Sequence, residues 1–265
     1  MNHFYVTLPS DSSVKYFPDN TVAHFTTRLP HRIRLDGDYE VGLAEFIYPY
    51  SWFNFTNDDN GDVDAHFVKT ESGEVFAMAS FPSGQYANET SLAKGMSDKM
   101  AEVITLKCNR KDLKAIFAYD DMFRKMTFTI RCDDETEAFF ISDDLRRMFG
   151  FAHCGPYRTG EYTAENTYGV NDGSHLLYLY CDIASFTAVG HAKAPLLRVC
   201  NTSGKYGDMV RTIFTHPHYV PVARREIENI EIFINTELGK PTPFVFGKSV
   251  VTLHFRRRHK LLPTS

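Results

Sequence analysis

The stretch Val250-Val251-Thr252-Leu253-His254-Phe255-Arg256 places an apolar side chain at every second position from Val251 onward. This period of two is typical of a β-strand with one buried and one solvated face. The same alternation recurs at 24–29, 126–131 and 230–235. Turn-forming pairs such as Ser72-Gly73 separate the apolar runs. About ten to twelve short strands with turns between them predict a β-sandwich or a barrel.

One run departs from this alternation. Leu176–Ile183 is apolar or aromatic at nearly every position. A strand of this composition is covered on both faces. We therefore predict that a second sheet packs on one face of Leu176–Ile183 and that a neighbouring molecule or a loop covers the other.

Two segments have helical patterns. Between Ser91 and Lys107, the residues Leu92, Met96, Met100 and Val103 form one apolar stripe at helical spacing. The segment Ser142–Phe149 begins with a capping serine, carries acidic residues in its first turn and is followed by a glycine. Each of these features favours a helix at that place.

Two strands, Leu113–Tyr119 and Arg124–Arg131, are predicted between these helices. Residues 84–152 are thus predicted to be helix–strand–strand–helix, with strands alone on either side. We interpret 84–152 as an α+β insertion in a β-sandwich formed by 1–83 and 153–265. The fold class predicted from the residues is mainly β.

Composition limits the function classes. The chain has 265 residues, with 29 Lys and Arg against 33 Asp and Glu, so its formal net charge is −4. A protein that binds nucleic acid over its whole surface would be strongly basic. Aromatic residues make up 14% of the chain, which favours strands and protein interfaces.

The cysteines and the N-terminal sequence predict the compartment. The five cysteines form no paired motif of the kind that binds zinc, and we expect free thiols in a reducing compartment. The start of the sequence lacks the pattern of a signal peptide, and no apolar run approaches the roughly 18 residues of a membrane span. We expect synthesis in the cytoplasm or nucleus, without secretion and without a membrane span.

Tests for catalytic and metal-binding motifs give no positive result. His216-Pro217-His218 lacks the glycine and glutamate that accompany a cupin metal site. The acidic segment 57–64 has Thr56 and Phe67 where an EF-hand needs carboxylates. No nucleophile elbow, P-loop, dinucleotide fingerprint or zinc-protease motif is present. We predict a protein that is not an enzyme and has no catalytic residue, metal or cofactor.

The run Arg256-Arg257-Arg258-His259-Lys260 is the strongest charge feature and follows directly on the last predicted strand. Such a run contacts phosphates of nucleic acid, serves as a nuclear address or is a solvated tail. The sequence leaves these three interpretations open. A basic patch for non-specific contact with DNA is one of them.

Several stretches together resemble the minor capsid protein of Polinton (Maverick) elements, which are large DNA transposons with virus-like genes. They are 4–18 with 25–27, then 39–52, 145–151, 217–222 with 230–232, and 239–257. The last two are the most specific, with Pro217-His218-Tyr219-Val220-Pro221-Val222 leading toward the final strand. None of the five stretches has a catalytic meaning.

The resemblance implies a single jelly-roll fold and a structural, penton-type role in a capsid. It further implies a homopentamer at the fivefold vertices of an icosahedral shell and a major, double jelly-roll capsid protein as the partner. The expected location is the virion. Two alternatives remain open from the sequence, namely a lectin-like β-sandwich that binds a ligand through its loops and a transposon-derived protein retained by its host.

Overall fold

The computed structural model describes residues 3–56, 63–108, 110–169, 176–237 and 239–258. These residues form seventeen strands and two α-helices. The strands are β1 His3–Pro9, β2 His24–Arg34, β3 Tyr39–Pro49, β4 Asp64–Lys69, β5 Val75–Ser80, β6 Lys114–Asp120, β7 Lys125–Arg131, β8 Glu137–Ile141, β9 Gly160–Thr163, β10 Leu176–Cys181, β11 Thr187–Val189, β12 Ala192–Ala194, β13 Leu196–Asn201, β14 Met209–Ile213, β15 Val220–Pro221, β16 Glu226–Thr236 and β17 Val250–Arg257. The helices are α1 Glu89–Val103, which continues into a π-helical turn at Ile104–Cys108, and α2 Asp143–Phe149.

The chain divides into two compact units. The first unit comprises Met1–Trp52 together with Ser174–Ser265, and the second comprises Phe53–Gly173. The second unit is therefore wider than the predicted insertion 84–152. It includes the hairpin of β4 and β5, whose alternation resembles that of the sandwich strands but which pairs with β8. Periodicity identifies a strand but does not identify the sheet that it joins.

Two antiparallel sheets make up most of the first unit. One has the strand order β1-β17-β3-β14, with β15 also pairing with β3, and the other has the order β13-β10-β16-β2. The pairing is nested along the chain. The first long strand pairs with the last (β1 with β17), the second with the second last (β2 with β16), and so on inward through β3 with β14 and β10 with β13. This nested order of eight strands in two sheets is a jelly roll, so the predicted fold is confirmed.

The core of the first unit lies between its two sheets. Val251, Leu253 and Phe255 of β17 are fully buried, whereas Thr252 and His254 lie half-buried on the outer face. Burial of an aliphatic or aromatic side chain contributes about 1.5–3 kcal/mol, so this alternation fixes the register of the strand. The other sheet contributes buried residues such as Ile232 and Ile234 from β16.

The second unit has its own core. Its strands form two three-stranded sheets, ordered β5-β4-β8 and β6-β7-β9, and α1 packs on β6 and β5. Phe128 lies at the centre of an aromatic cluster, with its ring centroid 5.8 Å from that of Phe117, 5.7 Å from Phe139 and 4.8 Å from Tyr157. The predicted stripe of α1 is buried in this core.

The predicted caps of α2 are confirmed. The Ser142 Oγ accepts a hydrogen bond from the backbone N–H of Leu145 at 3.3 Å, and Gly150 ends the helix with φ of 78°. A β-carbon at Gly150 would lie 2.8–2.9 Å from atoms of Asn166. Glycine is therefore required here both by conformation and by space.

We expect Ser142→Ala to lower the free energy of unfolding by about 1 kcal/mol, because the first turn of α2 loses its cap. The same hydroxyl also accepts the backbone N–H of Asp64 at 3.2 Å. Urea unfolding of the two proteins measures the difference. Ser142→Asp is the control, because aspartate caps a helix as well as serine does; equal losses from both variants would contradict this role.

Candidate functional site

The predicted basic run leaves the end of β17. The Arg256 guanidinium lies 3.5 Å from the centroid of the Tyr219 ring and 2.9 Å from the Glu40 Oε2. The Arg258 Nε lies 3.7 Å from the other carboxylate oxygen of Glu40. Glu40 therefore neutralises part of the charge of this run. His259 and Lys260 lie outside the described residues.

Arg257 lies against a turn of the first unit. A β-carbon at Gly37 would lie 3.1 Å from the Arg257 Nη2, and Gly37 has φ of 101°. The backbone N–H of Arg258 donates to the carbonyl oxygen of Asp38 at 2.8 Å. The described arginines are thus placed at one end of the first sheet by the turn that joins β2 to β3.

His254 is the centre of a cluster that was not predicted. Its Nδ1 shares a hydrogen bond of 2.6 Å with the Tyr219 hydroxyl, and its ring stacks on Tyr5 at 4.4 Å. The His3 ring approaches edge-on at 5.5 Å. The Nε2 of His254 is buried without a hydrogen-bond partner. Burial lowers the pKa of His254, and repulsion from His3 and Arg256 lowers it further, so the ring is neutral near pH 7.

A close backbone contact positions Tyr219 in this cluster. A β-carbon at Gly42 would lie 2.9 Å from the carbonyl oxygen of His218 and 3.0 Å from Pro217. The segment that precedes β15 therefore crosses β3 at Gly42 at a distance that only glycine permits. The contact joins residues that are far apart in the sequence, and only the unusual Gly42 within an apolar strand could have indicated it.

His216 and His218, the two histidines of the His-Pro-His segment, contact other residues of the first unit. The His216 Nδ1 lies 3.1 Å from the Thr215 hydroxyl, and the carbonyl oxygen of His218 lies on Gly42. In the part of the chain that the structure describes, no group of three or more His, Cys, Asp or Glu side chains could hold a metal ion. Most of the acidic segment 57–64 falls outside that part.

The five cysteines are free thiols. Burial raises the pKa of the Cys200 thiol to about 12, and burial also raises the pKa of Cys132 and Cys181. These three thiols stay protonated and unreactive near pH 7. No helix in the described ranges is long and apolar enough to span a membrane.

The outer face of the second sheet is aromatic. Tyr178 and Tyr180 of β10 stack at 6.5 Å, and across the strands Tyr180 pairs with Phe233 and Tyr178 pairs with Val199. These residues, which we call the aromatic face, are half-buried except Val199, which is 38% exposed. The inner side of β10, with Leu177, Leu179 and Cys181, is buried in the core.

The prediction that a second sheet covers one face of Leu176–Ile183 is thus confirmed for the inner face. On the outer side, the aromatic face is only partly covered within one chain. An aromatic patch on a sheet is typical of a protein–protein interface.

The neutral His254 makes the stability of the first unit depend on pH. In the unfolded chain, the ring takes up a proton as the pH falls through its ordinary pKa of 6.5. The folded chain takes up this proton only at lower pH, so the unfolded state binds more protons and folding becomes less favourable. The contribution of His254 to the free energy of unfolding is therefore fully present above pH 6.5 and decreases below it.

The matched variant is His254→Gln, which does not titrate and retains a hydrogen-bonding partner for Tyr219. We expect the free energy of unfolding to fall more steeply for the natural chain than for the variant between about pH 7.5 and about pH 5.5. Urea unfolding at several pH values measures both slopes. Identical slopes would contradict the lowered pKa.

Comparison with known proteins gives a likeness of fold. No family model matches this sequence, and no curated protein matches it. The solved structures that resemble this chain include a chain of the Sputnik virophage, which is 11% identical, with a TM-score of 0.48 over 97% of this chain and 98% of that chain. They also include the penton protein of mavirus, which is 9% identical, with a TM-score of 0.52. This chain shares the fold of the mavirus penton protein over 96% of its own length and 99% of that protein's length.

Proposed function

We propose that this chain is a minor capsid (penton) protein of a Polinton/Maverick-type virus-like element. The observation that carries the proposal is the shared fold with the mavirus penton protein, which extends over both units and leaves almost none of either chain unmatched. A jelly roll alone is used by many capsid proteins and lectins. A likeness that covers 96% of this chain and 99% of the mavirus penton protein is narrower than a shared jelly roll alone.

In this function the chain is a structural protein, without catalysis or a cofactor, and its location is the virion. Five copies form a closed ring at each fivefold vertex of an icosahedral shell. The ring contacts the major, double jelly-roll capsid protein. The buried, protonated thiols suit a protein that is made in a reducing compartment.

A closed ring needs a heterologous interface, in which two different surfaces of the chain meet. The aromatic face supplies one such surface, because the large rings of Tyr178, Tyr180 and Phe233 are only half-buried in a single chain. Large aromatic side chains are enriched in the cores of stable interfaces. We place the aromatic face between neighbouring subunits of the ring.

The first expected result is a ring. Light scattering after gel filtration is expected to give five times the 30.3 kDa of one chain, and negative-stain images are expected to show five-membered rings. Tyr178→Asp is expected to convert rings to monomers, because a buried unpaired carboxylate in an interface is costly. The native circular dichroism spectrum should be unchanged.

Met122→Asp is the matched control. Met122 is an apolar residue that is 84% exposed in the turn between β6 and β7, and its replacement should leave the rings intact. A natural chain that stays monomeric, also with the major capsid protein present, would contradict the penton function. If Tyr178→Asp still forms five-membered rings of subunits, the aromatic face is not part of the interface between them.

The basic run is proposed to contact packaged DNA through phosphates. Arg256 packs on the Tyr219 ring as well as pairing with Glu40, so its replacement would also disturb this packing. The test therefore combines Arg257→Ser, Arg258→Ser and Lys260→Ser. We expect weaker duplex binding and a slope of log affinity against log salt that is smaller by about 1 to 3, one unit for each lost phosphate contact.

Fluorescence anisotropy with a labelled duplex at several salt concentrations measures this slope. Lys248→Ser is the control, because Lys248 is also an exposed cation and forms its ion pair with Asp11, away from the basic run. The same salt slope in the triple variant and the natural chain would exclude the basic run as the DNA contact.

A further inference from the structure

The first sheet carries an apolar patch on its outer face. Val250 of β17 lies opposite Ile47 of β3, and Ile47 lies opposite Arg211 of β14. Met209 and Ile213 lie on the same face as Arg211, because side chains two positions apart in a strand point the same way. Met209 is 55% exposed and Ile213 is 58% exposed. We call Ile47, Met209, Arg211, Ile213 and Val250 the first-sheet face.

The charge in the first-sheet face is already paired. The Arg211 Nε donates a hydrogen bond to the Glu45 carboxylate, which also accepts the Thr252 hydroxyl at 3.5 Å. Burial of a paired guanidinium costs less than burial of a lone one. The two terminal nitrogens of Arg211 have no hydrogen-bond partner among the described residues, so they are available as donors to a second molecule.

The chemistry of the aromatic face is complementary to that of the first-sheet face. The rings of Tyr178, Tyr180 and Phe233 are half-buried, and a methionine thioether packs favourably against aromatic rings. The hydroxyls of Tyr178 and Tyr180 have no hydrogen-bond partner in the part of the chain that the structure describes. Each of these hydroxyls can accept a hydrogen bond from a guanidinium.

The two faces lie on opposite sides of the first unit. The core of this unit is between its two sheets, so the outer face of one sheet points away from the outer face of the other. One chain can therefore contact one neighbour through the aromatic face and another neighbour through the first-sheet face.

We propose that the first-sheet face of one copy of this chain packs on the aromatic face of the next copy, with Arg211 donating to the hydroxyls of Tyr178 and Tyr180. The proposal rests on the ring of the proposed function and supplies the second surface that the ring needs. A contact between two different surfaces is heterologous and closes into a ring when the rotation between subunits permits.

The first test combines Met209→Asp with Ile213→Ser. We expect monomers in gel filtration with light scattering, because the carboxylate would be buried without a partner in the interface. The circular dichroism spectrum should be that of the natural chain, because both side chains are more than half exposed in one copy.

The matched control combines Met78→Asp with Val75→Ser. These residues are 46% and 48% exposed and lie on β5, which is also an edge strand but belongs to the second unit. The control variant should form the same rings as the natural chain.

The second test mixes two monomeric variants. Tyr178→Asp retains an intact first-sheet face, and the Met209→Asp, Ile213→Ser chain retains an intact aromatic face. A mixture can form one intact contact for each pair of chains, so we expect a dimer of twice 30.3 kDa and nothing larger in sedimentation velocity. If the aromatic face paired with itself, the Met209→Asp, Ile213→Ser chain would dimerise alone.

This mixed dimer also measures the contact of Arg211. We introduce Arg211→Lys in the first chain, which keeps a cation for Glu45, and Tyr178→Phe with Tyr180→Phe in the second chain, which keeps the rings. Each change is expected to weaken the dimer roughly threefold to tenfold. The two changes together should weaken it no more than the stronger single change, because both remove the same hydrogen bonds.

Four outcomes separate the possibilities. Rings formed by the Met209→Asp, Ile213→Ser chain, or a mixture without dimers, would overturn the pairing of the two faces and leave the penton function standing. Additive effects of Arg211→Lys and the phenylalanine changes would overturn the contact assigned to Arg211. A mixed dimer from a natural chain that forms no five-membered ring would reject the pentamer and support the pairing of the two faces.

Discussion

The antiparallel pairing of β1 with β17 closes the jelly roll, and the other strands depend on this closure. It joins residues from the two ends of the described chain, with Phe4 opposite Phe255 and their rings stacked at 4.7 Å. Because β17 also pairs with β3, it lies in the middle of its sheet and is buried on its inner side. Contacts between residues so far apart in the sequence form at a large entropic cost of loop closure. The burial of Leu253 and Phe255 helps to offset this cost.

The nested pairing also explains where a second unit can be accommodated. β3 and β10 follow one another among the long strands of the first unit but belong to different sheets, so the chain needs a connection there in any jelly roll. The entropic cost of a connection grows slowly with its length. The residues Phe53–Gly173 form the second unit, and its core includes the aromatic cluster at Phe128.

Local patterns in the sequence predicted much of this structure. The alternation in β7, β16 and β17, the apolar stripe of α1 and the caps of α2 each depend on neighbouring residues, and each was predictable. The pairing of β4 with β8 could not be predicted, because strands of every sheet show the same alternation of apolar and polar residues. The Tyr219–His254 contact could not be predicted either. It requires the backbone at His218 to lie close to Gly42, and these residues and His254 are far apart in the sequence.

The two sheets of the first unit differ in how far their outer faces are covered within the chain. The outer face of the first sheet is partly covered within the chain, because Tyr219 packs on His254 and Arg256. The outer face of the second sheet has no such contact at Tyr178 and Tyr180 among the contacts of the described residues, and the edge at β1 is unpaired there. The proposed ring requires that two different surfaces of the chain meet, because contacts between different surfaces close into a ring when the rotation between subunits permits.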